Sequence, residues 1–72
     1  MNKNMLNSIL AKHGDTQSTL ARLLGLSLSR VNAKINANHA QFTQAEIAEI
    51  KNHYDLTANE VNNIFDFSNF RL

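Results

Sequence analysis

Thr16-Gln17-Ser18-Thr19-Leu20-Ala21-Arg22-Leu23-Leu24-Gly25-Leu26-Ser27-Leu28-Ser29-Arg30-Val31-Asn32-Ala33-Lys34-Ile35-Asn36 is the stretch whose reading decides the fold. Its apolar residues return at intervals of three and four, the period of a helix with one buried face. Leu20, Ala21 and Leu24 belong to one such helix, Val31 and Ile35 to the next. Gly25 stands between them, where a residue free to turn left-handed ends a helix at least cost. Thr16 and Ser27 are hydroxyl residues placed to accept the unpaired amides at each helix start. Leu26 and Val31 have the spacing of a hydrophobic staple across the second start. Ala21 is small enough to let two helices cross closely. Two short helices joined by a tight turn, the form of a helix-turn-helix, follow from these positions together.

Outward from this stretch the same signals continue. The spacing predicts a first helix over 4–13 with Met5, Leu6, Ile9 and Leu10 inward, ended by Gly14. Downstream, Thr43-Gln44-Ala45-Glu46 and Thr57-Ala58-Asn59-Glu60 both read as capping boxes. Each carries a staple, Phe42 with Ile47 and Leu56 with Val61. Ile47, Ile50 and Tyr54 then face inward from a fourth helix, and Val61, Ile64 and Phe65 from a fifth. The expected architecture is all-α, a compact five-helix bundle in a single domain over 1–72, with the helix-turn-helix at 16–36. The tail over 67–72 has no helical period; its aromatic residues are expected to dock on this core or on another chain.

The chain has 72 residues, no proline, no cysteine and a formal charge of only +1. A chain of that length buries only about 60% of its unfolded surface, so the core must be local and tightly packed. Without cysteine there is no disulfide framework and no thiolate metal site. No apolar run approaches a membrane span, and Met1-Asn2-Lys3-Asn4 has no apolar signal core behind it, so a cytoplasmic setting is expected. The charge is unevenly spread. Residues 1–36 hold Lys3, Lys12, Arg22, Arg30 and Lys34 against Asp15, a balance of +4, while 37–72 hold two bases against five acids, a balance of −3. The basic half contains the stretch quoted first, as a nucleic-acid partner would require.

Gln17, Ala21, Gly25 and Ser27 in their spacing resemble the Cro/CI family of phage and bacterial repressors, and the resemblance extends over about residues 4–66. It implies a lambda-repressor-like domain that binds operator DNA, usually as a dimer, with its third helix in the major groove. The overall size and the ending around Ile64-Phe65-Asp66-Phe67 are most similar to the small Cro-like regulators of temperate phages, modulators of repression or antirepressors. Such a regulator of the lytic/lysogenic switch acts with and against the phage's own CI repressor in the host cytoplasm.

A helical wheel turns Val31 and Ile35 inward and leaves Ser29, Asn32, Ala33 and Asn36 outward, with Arg30 at one edge. Asn32 and Asn36 suit an adenine edge, Ser29 suits most bases, and Ala33 suits a thymine methyl. By the resemblance, Gln17 meets the DNA backbone, and Ser18, Ser27 and Leu28 complete the expected DNA-facing set. Arg22, Arg30, Lys34 and Lys12 are read as phosphate or surface charges. The pattern departs from the family at Leu23, Leu28 and Lys34. The two leucines, with Arg30, suit a protein interface or a slightly larger core. Phe65, Phe67 and Phe70 are the expected contacts of a homodimer.

Two alternatives stand beside operator binding: an antirepressor working purely by contact with the repressor, and a bacterial antitoxin or plasmid copy-control protein on the same fold. His13, His39 and His53 are scattered without metal-ligand spacing. Glu46, Glu49 and His53 share one side of a helix, yet Glu46 is explained by capping and no nucleophile or phosphate loop accompanies them. No metal, cofactor or catalytic activity is expected.

Overall fold

A computed structural model describes residues 1–36 and 41–65. The described residues form five helices and no strand: α1 (Lys3–Lys12), α2 (Gln17–Leu24), α3 (Leu28–Asn36), α4 (Gln44–His53) and α5 (Ala58–Phe65). None is long and apolar enough to cross a membrane. The tail over 67–72 and the segment 37–40, with His39, lie outside the described residues.

Local chemistry sets each helix boundary. The first helix begins one residue earlier than its apolar period implies, because the Asn2 side chain accepts the Met5 amide at 3.0 Å and so caps it. It ends at Gly14, φ +71°, where the Gly14 amide donates to Ala11 O at 3.0 Å and the Asp15 amide to Leu10 O at 2.8 Å. That paired closure is a Schellman motif. Gly25, φ +69°, repeats it at the end of α2, with the Leu26 amide on Ala21 O at 2.9 Å. After α4 the left-handed position is taken by Asp55, φ +54°, and Leu56 reaches back to Lys51 O at 2.9 Å.

The starts are equally explicit. Thr16 caps α2 and exchanges bonds with Thr19, a reciprocal pair made by two threonines instead of the usual threonine and glutamate. The Arg30 amide donates to Ser27 Oγ at 3.1 Å. Thr43 with Glu46, and Thr57 with Glu60, form both capping boxes read from the sequence.

All five helices feed one core. Leu6, Ile9 and Leu10 come from α1, Leu20 and Ala21 from α2, and Val31 and Ile35 from α3. Ile47 and Ile50 of α4 and Val61, Ile64 and Phe65 of α5 complete it, with Phe42, Tyr54 and Leu56 from the connections. Each fully buried leucine or isoleucine contributes about 1.5–3 kcal/mol by leaving water. The assembly has a radius of gyration of 11.4 Å. Helix α1 packs on α2 and α5, and α2 packs on α3. The Asn2 amide also donates to Ile64 O at 2.7 Å, so the start of α1 satisfies a carbonyl in the last turn of α5.

Candidate nucleic-acid interface

Helix α3 is held from beneath. Val31 and Ile35 are buried, while Ser29, Asn32, Ala33 and Asn36 are all exposed and lie three or four residues apart on the opposite face. From Ser29 to Asn36 that face runs about 10 Å along the axis. A strip of that length fits within a major groove about 12 Å wide. Ser27, exposed, uses its hydroxyl to cap the helix, so it shapes the front of this face instead of presenting a free donor. The turn Gly25-Leu26-Ser27 is short, and with two ordered ends it fixes how α2 and α3 meet.

The surrounding residues take distinct positions. Ser18 is exposed on the first turn of α2. Gln17 is half-buried, and its Nε2 donates to Asn7 Oδ1 at 3.2 Å, joining α2 to α1. Asn36 Oδ1 accepts from Lys3 Nζ at 3.3 Å, so the start of α1 supplies an ammonium beside the last residue of the α3 face. Sequence reasoning left Lys3 out of the site, since nothing local connects positions 33 residues apart. Arg22 and Arg30 are exposed.

Lys34 is placed differently from the phosphate or surface role read from the sequence. Its ammonium donates to Gln41 O at 2.9 Å and pairs with Glu46 Oε1 at 3.3 Å, with side chains only 11% and 16% exposed. It also lies 5.9 Å from the centre of the Phe42 ring. Burial pushes the Glu46 carboxyl up, but the Thr43 amide and the Lys34 ammonium outweigh it and hold the group below its ordinary value of 4.5. The basic surface around α2 and α3 is therefore Lys3, Lys12, Arg22 and Arg30.

The two departing leucines separate. Leu23 is half-buried against the core, whereas Leu28 is 44% exposed at the head of α3. Among the dimer candidates, Phe65 is a core residue, 8% exposed with its ring edge-on to Phe42 at 5.8 Å. An amphipathic α5 with three inward apolar residues leaves that ring no outward path. Phe67 and Phe70 lie outside the described residues.

The histidines that are described also find a setting. His13 and His53 are exposed, and their rings lie 4.9 and 4.7 Å from that of Tyr54. The Tyr54 hydroxyl donates to Asp15 Oδ2 at 2.7 Å, and burial together with that carboxylate pushes the phenol well above its usual range. This link joins the end of α4 to the α1–α2 turn. Asp15, the lone acid of the basic half, was its only trace in the sequence. Among the described residues no group of three histidine, cysteine or acidic side chains comes together as a metal site would need.

What the geometry defines is a small all-helical domain with one outward, polar helix face beside a handful of exposed bases. Comparison with models of protein families, with curated proteins and with solved structures finds no match.

Proposed function

We propose that this chain is a DNA-binding transcriptional regulator of the helix-turn-helix class, with α2 and α3 forming the motif and α3 entering the major groove. The more particular reading is a small Cro-like regulator of a phage lytic/lysogenic switch, which meets operator DNA and the phage's CI repressor. One observation carries the first step: Ser29, Asn32, Ala33 and Asn36 form an exposed strip on a helix whose other side is locked in the core. Those side chains match base edges in hydrogen-bonding capacity and shape. The resemblance of residues 16–36 to the Cro/CI family supports the second step.

Only a few exposed bases flank the strip, so phosphate contacts are few and binding is modest. About three contacts give a slope near −3 when log affinity is plotted against log salt. Anisotropy titration with a duplex carrying the region upstream of the chain's own gene tests this directly. Asn32→Ala should weaken binding by about 1–3 kcal/mol, the worth of a bidentate base contact. Unchanged binding by both Asn32→Ala and Ser29→Ala would remove α3 from base reading.

Leu28 favours the second reading, action by contact with the repressor. An exposed leucine beside Arg30 at the head of α3 offers an apolar anchor with a charged rim, the composition of a protein interface. Leu28→Asp should abolish repressor binding in a pull-down with the purified repressor, and intact binding would exclude this face. The half-buried Leu23 is a weaker anchor.

A further inference from the structure

The Lys34 ammonium joins two elements at once. Lys34 belongs to the last turn of α3, while Gln41 O and Glu46 Oε1 belong to the start of α4 and the residues leading into it. The same Glu46 oxygen accepts the Thr43 amide at 2.9 Å. One carboxylate therefore caps α4 and holds α3. The Phe42 ring beneath the ammonium is itself buried and packed edge-on to Phe65. The contact is thus backed by the core instead of hanging in solvent, and its low exposure reduces screening by salt.

We propose that Lys34 is a positioning residue: by binding Gln41 O and Glu46 it fixes the last turn of α3 against the start of α4. In so doing it sets the angle at which Asn32, Ala33 and Asn36 are presented. The consequence for DNA rests on the function proposed above; the fixing of α3 does not. Val31 and Ile35 anchor one side of α3, but two residues one turn apart leave rotation about the line joining them. Lys34, beside Ile35 on the wheel, supplies a third point off that line. The carboxylate and ammonium are each satisfied by further polar partners, as a partly buried pair requires.

Three substitutions separate this role from direct phosphate contact. Lys34→Met keeps an unbranched stem and removes the charge. Lys34→Arg keeps the charge. Glu46→Gln keeps a capping side chain for Thr43 and removes only the ion pair. In the free protein, amide hydrogen exchange at Lys34, Ile35 and Asn36 should quicken about twofold to fivefold in Lys34→Met and Glu46→Gln, the range a partly exposed pair supports. Amides of α1 and α5 should be unaffected, and Lys34→Arg should restore slow exchange. No change at α3, or an equal rise in every helix, overturns the proposal.

Titration of a mixed-sequence DNA duplex over a salt series gives the second readout. Lys34→Met should weaken affinity without changing the salt slope. Glu46→Gln adds net positive charge and would tighten binding through long-range attraction alone; the proposal requires that it weaken binding instead. The double variant should be no weaker than either single one. A slope flattened by about one in Lys34→Met, with exchange unchanged, would make Lys34 a phosphate contact and refute the positioning role. If the unaltered chain binds no duplex, the proposed function fails, while the exchange result still decides the role of Lys34.

Discussion

Gly25 holds φ +69° with open space where a Cβ would stand, nothing lying within 4 Å. Alanine there meets no neighbour, so its whole cost is the left-handed backbone, about 1–2 kcal/mol. Urea denaturation of Gly25→Ala should report that loss, and an undiminished midpoint would mean that the turn relaxes to another conformation. Asp55 is the converse case, a side chain kept at φ +54° after α4. Glycine in its place relieves the strain, so Asp55→Gly should raise stability by up to about 1 kcal/mol. Both glycine turns were legible from glycine's position after an apolar period. Asp55 was not, because aspartate is common in turns of many shapes and its φ is chosen by the Schellman closure around it.

Among the elements, the Thr43–Lys34–Glu46 junction and the Tyr54–Asp15 link respond to pH in opposite directions. Glu46 is held below its ordinary value in the folded chain, so folding gains from its ionised form. That gain is complete above about pH 4.5 and disappears as pH falls through the lower folded value. The stability difference between the unaltered chain and Glu46→Gln, from denaturation at successive pH values, should shrink on acidification; a constant difference would contradict the ion pair. Tyr54 is raised in the folded chain above its ordinary value of 10.0, so its contribution is complete below pH 10 and lost only as pH climbs towards the folded value. It is the only tyrosine, and there is no tryptophan, so tyrosinate absorbance reports it without interference. The native chain should resist ionisation well beyond pH 10, and Asp15→Asn should lower that threshold. The capping boxes were readable in the sequence because threonine and glutamate act three residues apart. The Tyr54–Asp15 bond spans 39 residues, and only the folded core brings its ends together.

For the whole molecule, hydrophobic period and caps located all five helices and nearly all of the buried residues, since each signal acts within a turn or two of chain. Leu20, wholly buried, shows how much depends on that shared core: Leu20→Ala should cost about 2–5 kcal/mol by cavity formation and leave a domain of this size largely unfolded. The candidate site was legible only as a face. Its members Ser29, Asn32, Ala33 and Asn36 are found outward as the wheel implies, but the supports at Lys3 and Lys34 come from tertiary contacts and no local pattern announces them. The uneven charge acquires a refinement as well, because Lys34 is neutralised by Glu46 and leaves fewer bases to meet phosphate. The central claim is that the outer face of α3 reads DNA, and amide shift mapping tests it most directly. On titration with the duplex upstream of the chain's own gene, the amides of Ser29, Asn32, Ala33 and Asn36 should move together and saturate, and Asn32→Ala should abolish the saturation. Shifts confined to α4 and α5, or none at all, would contradict the account.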